Sequence, residues 1–144
     1  MDARGSETMA NGMGREPMAR AWYAFEMDVE VTEVGLCLSD CERYGCSPDG
    51  LVGDEGGIEL KCPNLETHAK YLLDGVLPAE YKCQVHGELL VTGRKWFDFV
   101  SFSEGMPPFR IRVEPDKFTL ALKDELEKFC DKYEQAKSKI LAMV

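Results

Sequence analysis

The stretch Gly45–Pro63, GCSPDGLVGDEGGIELKCP, decides how this chain is read. It places Asp49 in a Ser-Pro-Asp-Gly turn and follows it with the triplet Glu59-Leu60-Lys61 in a run otherwise built from Ile, Leu, Cys, Gly and Pro. On a strand, side chains alternate sides with period two, so Ile58, Leu60 and Cys62 share one face while Glu59 and Lys61 share the other. The apolar set fits a core, and the charged pair then points to the opposite side, within reach of Asp49 on a neighbouring strand. Two carboxylates converging with a lysine make a hard-oxygen site suited to Mg²⁺, with Mn²⁺ as a substitute. Such a metal activates a water, takes charge from a phosphoryl oxygen and stabilises the leaving oxygen. The lysine orients or deprotonates that water, or holds a phosphate as a point charge.

Outward from this strand the pattern alternates between helices and strands. Residues 1–13 are small and polar and read as a tail, with one domain over 14–144. From Gly14 the pattern is helical, with Met18, Trp22 and Phe25 on one face. The segment DVEVTEVGLCLS reads as a strand, Gly45 to Val52 as a second around the SPDG turn, and GGIELKCP as a third. A short helix is expected over Leu65–Leu73 and another after Pro78, closing at Gly93. Lys95–Phe102 is aromatic enough for a strand buried on both faces. Phe109, Ile111 and Val113 alternate with Arg110 and Arg112, which gives a half-buried strand. Asp116–Val144 is a long helix with Phe118, Leu122, Leu126, Phe129, Tyr133, Ala136 and Ile140 on one face. The order predicts an α/β (α+β) domain whose central mixed sheet is flanked by helices.

Composition agrees with one globular domain: 144 residues, 44% hydrophobic and 30% charged. No apolar run is long enough for a membrane span or a secretory core, and the six cysteines then read as reduced thiols in a cytoplasm. A net charge of −9 argues against a nonspecific nucleic-acid coat. It is compatible with a nuclease, whose carboxylate-rich site is negative until metal fills it.

Other residues sort less sharply. Tyr81, Gln84 and Glu88 form a polar stripe on the helix after Pro78, and Gln84 there can hydrogen-bond a nucleophilic water or a phosphate. Glu16 is a further candidate acid, or only the i+4 partner of Arg20. Ser47 is a candidate substrate contact in the SPDG turn. Arg110 and Arg112, with Arg94 and Lys95, read either as a phosphate track or as balance for the 26 acids. Cys37, Cys41 and Cys46 lack a CxxC pair, which favours free thiols over a cluster. His68 and His86 read as surface or packing residues, although His86 lies close enough to Gln84 to touch substrate. The long helix face suits packing within the chain, and its partial heptad makes it the first candidate for a subunit contact.

SPDGL, IELKCP and EYKCQVHGELLVTG in this order resemble the phage-lambda-type exonucleases and YqaJ-like viral recombinases, a branch of the PD-(D/E)xK nuclease superfamily. The similarity runs from about Gly12 to the end of the chain. It implies a restriction-endonuclease-like core in which Asp49, Glu59 and the Leu60 backbone carbonyl ligate metal. Lys61 would serve the water, Gln84 would contact water or phosphate, Tyr81 would lie near the site, and Glu16 would be the acid of the first helix. The implied activity is a Mg²⁺-dependent deoxyribonuclease digesting duplex DNA from the 5′ end in phage or prophage recombination. The resemblance also implies a single-strand annealing protein as partner and, in some members, a ring-shaped trimer. Family members carry a sizeable segment before the first acid-bearing helix where this chain has a polar stub, with Arg4 the one basic residue placed to stand in for a 5′-phosphate ligand. That departure keeps open a single-strand exonuclease, an endonuclease or, in another class, a non-catalytic recombination scaffold.

Overall fold

The computed structural model describes residues 3–144, with side chains from Arg15 onward. Helix α1 (Ala3–Glu26) is followed by short strands β1 (Val31–Thr32), β2 (Cys37–Leu38), β3 (Gly45–Cys46) and β4 (Gly50–Val52), then by β5 (Gly56–Lys61). Helix α2 (Leu65–Asp74), a 3-10 turn (Ala79–Tyr81) and α3 (Lys82–Thr92) precede β6 (Trp96–Ser101), β7 (Phe109–Val113) and α4 (Lys117–Leu141). The main sheet runs β1-β4-β5-β6-β7 and is mixed: β5 and β6 are parallel, and the other neighbours antiparallel. A parallel pair cannot close through a tight turn, so the chain between β5 and β6 must cross over, and it does so through α2 and α3.

Period-two alternation divides the core into two layers. Ile58, Leu60, Val52 and Val100 pack against Ala19 and Tyr23 of α1. Phe97, Phe99, Phe109 and Val113 pack on the other face against Tyr71 of α2 and Val85 and Leu89 of α3. β6, buried along almost its whole length, is therefore the two-faced strand its aromatic run predicts. Gly56 and Gly57 bring β5 close to it. A Cβ on Gly57 would lie 2.3 Å from the Phe97 ring, and one on Gly56 2.1 Å from Trp96, so larger residues there would push the rings off the sheet.

Several expectations need correction. The segment from Val29 to Ser39 is not one strand: β1 joins the main sheet, while β2 pairs with β3 in a separate hairpin. Likewise Gly45–Val52 divides into β3 and β4 at Ser47-Pro48-Asp49. Pro48 has no N–H to give a ladder, so β4 extends only from Gly50, and β1 finds two partners, Leu51 and Val52. On α1 the buried residues are Ala19 and Tyr23, while Met18 and Phe25 are exposed. The small Ala19 lets the helix approach the sheet, and Tyr23 has a polar partner beneath it. Helix α1 also extends back to Ala3, ahead of the periodicity that sets in at Gly14; Met1 and Asp2 and the Arg4 side chain lie outside what is described.

The other helices match their patterns. Asn64 caps α2 through Thr67 N–H, and Gly75 and Gly93 close α2 and α3 in the left-handed conformation. Asp116 and Thr119 form a capping box on α4. His68 is a buried packing residue between Ser101 Oγ and the Pro107 carbonyl, and His86 another, on Thr119 Oγ1. The α4 stripe packs inward only through its first half. Phe129, Tyr133 and Ile140 are exposed, so intramolecular packing accounts for Phe118, Leu122 and Leu126 alone. No helix among the described residues is long and apolar enough to cross a membrane.

Beneath α1, Asp98 is fully buried. It accepts the Tyr23 hydroxyl at 2.5 Å and the Arg112 Nε and Nη2 at 2.8 and 3.0 Å, with Arg110 Nη1 at 3.4 Å. Arg112 also lies over the Trp96 ring, 3.7 Å from its centroid. Removing one member of such a cluster leaves the others unpaired in a dry layer. Asp98→Ala is expected to cost about 3 kcal/mol of stability, read from the urea midpoint, and a loss under about 0.5 kcal/mol would show that the cluster does not hold α1 to the sheet.

Candidate active site

The site is built on one register. Gly50 pairs with Ile58 in the antiparallel β4–β5 ladder, which sets the preceding Asp49 opposite Glu59. With Pro48 in place of a donor, the Asp49 side chain takes over the pairing: its Oδ2 accepts the Leu60 backbone N–H at 2.7 Å. Arg20 of α1 donates through Nε to the Asp49 carbonyl at 3.2 Å and pairs with Glu16 at 2.8 Å and Glu33 at 2.7 Å. Glu16 thus arrives from a different layer, next to Asp49, and is both an ion-pair partner of Arg20 and the expected acid of the first helix.

Glu59 is 3% exposed, an unusual place for a carboxylate. One of its oxygens accepts Gln84 Nε2 at 2.7 Å and faces Lys61 Nζ at 3.2 Å. Lys61 is steadied from the other side by Tyr81, with Nζ 4.6 Å from the ring centroid, and the Tyr81 ring stacks on Phe99 at 5.4 Å. Asp49, Glu59, Lys61, Tyr81 and Gln84 are therefore gathered at one place, with Glu16 at its margin, as the sequence pattern predicts. Ser47 is exposed two residues before Asp49.

Glu88 is the residue that sequence reasoning passed over. It belongs to the polar stripe of α3, where a glutamate one turn from a glutamine reads as a solvated helix face. In the fold it is 2% exposed, its Oε2 and the Glu59 Oε2 are both buried without a donor, and the two carboxyls meet. Burial, then the nearness of Glu59 and the Asp49 charge, raise the Glu88 pKa far above the carboxylate range, which favours its neutral form beside Glu59. Asp49 is pushed up to about 6, by burial and then by Glu59, and Glu16 is raised by burial and then by Asp49.

Arg110 and Arg112 are not brought to this place. They lie on the α1 face of the sheet, on Asp98, whereas Glu59 and Lys61 face α3. Arg94 and Lys95 hold the β4–β5 turn instead, through the Gly53 carbonyl at 2.5 Å and Glu55 at 2.6 Å. The expected phosphate track is thus dispersed into structural pairs. Cys37 and Cys46 face each other across β2–β3, and the cysteines of the described residues are free.

Among the described residues no three His, Cys, Asp or Glu side chains form a metal-ligand group. The expected set is smaller: two carboxylates, one backbone carbonyl, and waters or substrate for the rest, which is the usual manner of Mg²⁺. Asp49 and Glu59 fit that manner. Their raised or orphaned oxygens form a concentration of negative charge with one lysine to offset it, and a divalent cation would relieve the repulsion.

A stability consequence follows for the metal-free protein. A carboxyl with a raised folded-state pKa favours the fold fully below the ordinary carboxylate range, and that contribution is lost as pH climbs through the raised value. For Asp49 this window runs from about 4 to about 6, and for Glu88 it extends well above neutrality. In EDTA, Tm is expected to be about 5 °C lower at pH 8 than at pH 5, and Mg²⁺ should restore part of the loss at pH 8. A flat or rising Tm over this range would contradict the raised pKa values.

Comparison with known proteins agrees with this geometry. A family model, the YqaJ-like viral recombinase domain, matches residues 1–95. The crystal structure of LHK-Exo in complex with dAMP is 37% identical, with a TM-score of 0.74 over 93% of this chain and 75% of that one. The crystal structure of an alkaline exonuclease (LHK-Exo) from Laribacter hongkongensis is 36% identical, with a TM-score of 0.72 over 97% of this chain and 77% of that one. No curated protein matches the chain. By family model and by solved structure together, the chain belongs to the YqaJ-like viral recombinase domain family.

Proposed function

We propose that this chain is a DNA exonuclease that hydrolyses phosphodiester bonds at the Asp49–Glu59–Lys61 site with Mg²⁺, or Mn²⁺ in its place. The observation that carries the reading is the meeting of Asp49 and Glu59 beside Lys61, with Gln84 fixed on the Glu59 carboxylate. Similarity to a solved alkaline exonuclease that takes dAMP supports the choice of DNA as substrate.

Asp49, Glu59 and the Leu60 carbonyl would hold the metal. When bound, it supplies Lewis-acid stabilisation of the charge on the phosphate and on the departing 3′ oxygen. The protein's own residues do the positioning. The Leu60 N–H fixes the Asp49 carboxylate, which leaves the other Asp49 oxygen free to turn to a cation. Gln84 holds one Glu59 oxygen through its amide. Lys61 Nζ lies over the Tyr81 ring and beside Glu59, where it can orient an attacking water, take its proton or hold a non-bridging phosphate oxygen. Tyr81 keeps that ammonium from swinging into solvent. Digestion from the 5′ end, an annealing protein as partner and a homo-oligomer follow from the family resemblance. The exposed distal half of α4 is the surface on this chain that suits a contact of that kind.

The test is release of nucleotides from linear duplex DNA by the protein with Mg²⁺ or Mn²⁺. Lys61→Met is expected to slow release about 10²- to 10⁴-fold, and Asp49→Ala to abolish it while the urea midpoint stays above that of Asp98→Ala. Duplexes labelled at the 5′ or the 3′ end, and circles, read the polarity. No release with either metal, or full activity in Asp49→Ala, would overturn the proposal.

A further inference from the structure

The β2–β3 hairpin stands apart from the main sheet. Its strands are two residues each, and a two-stranded hairpin is marginal without support. That support comes from α3, on which it packs, and from α4. Arg43, in the connection between the strands, pairs with Asp131 at 2.6 Å and Glu134 at 3.3 Å, and the Cys130 thiol donates to the Arg43 carbonyl at 3.8 Å. Beyond β3 the chain runs through Ser47-Pro48 into Asp49. Within this hairpin Cys37 and Cys46 are direct cross-strand partners, each half-buried.

Register alone brings these two thiols together. Directly opposed residues of an antiparallel pair have Cα atoms about 4.5 or 5.5 Å apart, inside the span of about 4.4–6.8 Å that a disulfide bridges, and their side chains leave the same face. The Ser39 N–H donates to the Tyr44 carbonyl at 2.9 Å, so Cys37 and Cys46, two residues further along each strand, again form a hydrogen-bonded pair, the wider of the two spacings. Opposed Cβ atoms lie about 4.5–5.5 Å apart, against about 3.8 Å in a relaxed disulfide. Closing the bond therefore draws the strands together and strains it, and a strained disulfide is readily reduced. Packing gives no reason for cysteine at both positions, because a strand pair that only covers a helix is better served by Val or Thr. The competing thiol is Cys41, exposed in the connection and held below the usual thiol range by the Ser39 hydroxyl and then by the Arg43 backbone, but it lies outside the paired register.

We propose that Cys37 and Cys46 are a reversible disulfide site, closed by a small-molecule disulfide such as oxidised glutathione, that locks the β2–β3 hairpin. The thiolate of one cysteine attacks the small disulfide, which releases one small thiol and leaves a mixed disulfide on the protein. The facing thiol gives up its proton and attacks the protein sulfur of that bond, and the second small thiol departs. Two protein thiols are oxidised by two electrons, one small disulfide is reduced, and both protons end on the departing thiols. The resting state is the pair of free thiols, which a reducing compartment maintains. In the oxidised state the two strands can no longer part, and the restraint falls on the segment that leads directly into Asp49. Neither the bond nor its test depends on the nuclease reading.

To test it, the folded protein is oxidised with glutathione disulfide, its remaining thiols are blocked, and it is digested with trypsin, whose cut after Arg43 separates the two cysteines. The expected product is a fragment carrying Cys37 joined to one carrying Cys46, and excess reduced glutathione is expected to return both to thiols. Cys41 shares the fragment of Cys37, so tandem fragmentation and two variants assign the bond: Cys41→Ser should keep the linkage and Cys37→Ser should lose it. Amide exchange at Ser39 is expected to slow about tenfold in the oxidised form, while exchange in β6 stays unchanged. Linkage through Cys41, glutathione adducts on Cys37 and Cys46 without linkage, a bond that excess reduced glutathione does not open, or equal exchange at Ser39 in the two forms overturns the proposal.

Discussion

A carboxylate held almost out of water is the constraint around which this domain is arranged. Glu59 has to be on β5, because only there do its neighbours Ile58 and Leu60 anchor the strand in the core while its own side chain faces α3. Once buried it needs donors, and one of its oxygens finds two, in Gln84 and Lys61. Gln84 comes from α3, as does the buried Glu88 beside it, so the α2–α3 crossover between parallel strands is also the element that completes the site. Burying a charge without such partners would cost several kcal/mol, so the site and the fold cannot be separated: the interactions that keep Glu59 in place are those that aim it.

Asp49 is held differently. It is only partly buried, and it bonds a backbone N–H rather than a side chain. Pro48 ends the ladder, and the Asp49 side chain continues it. A turn that would otherwise be loose is in this way tied to the strand that carries Glu59, and the separation of the two carboxylates is set by sheet register, not by loop flexibility. On the far side of the sheet Asp98 plays the opposite part. It is equally buried but fully satisfied by Tyr23, Arg110 and Arg112, and it has no spare lone pair for a ligand. The contrast between an acid with an orphaned oxygen and an acid with none separates the candidate site from a structural ion cluster.

Much of this was legible in the chain. The SPDG turn, the alternation of Ile58-Glu59-Leu60-Lys61, the Gly93 stop and the aromatic run of β6 each follow from strong local rules, and the elements they predict are present. What failed to show needed tertiary information. Glu88 looks like any solvent-facing glutamate until Glu59 is placed against it. Arg110 and Arg112 alternate with apolar residues as an exposed charged face would, and only the depth of Asp98 gives them partners inside. The α1 face departs from its apolar periodicity because Tyr23 is buried for its hydroxyl as much as for its ring, while the more apolar Phe25 is left outside. Strands of two or three residues carry too little periodicity to be told from the loops around them, which is why β1 and β2 read as one strand and β3 and β4 as another.

Helix α4 outlasts the body it packs on. Cys130 is its last buried residue, and Arg43 clamps it through Asp131 and Glu134. Beyond that clamp the helix runs on to Leu141, which at 1.5 Å per residue carries it roughly 10 Å past its last anchor. The protein therefore carries a spur: the last turns of α4 extend past the Arg43 clamp as a helical arm whose side chains are exposed.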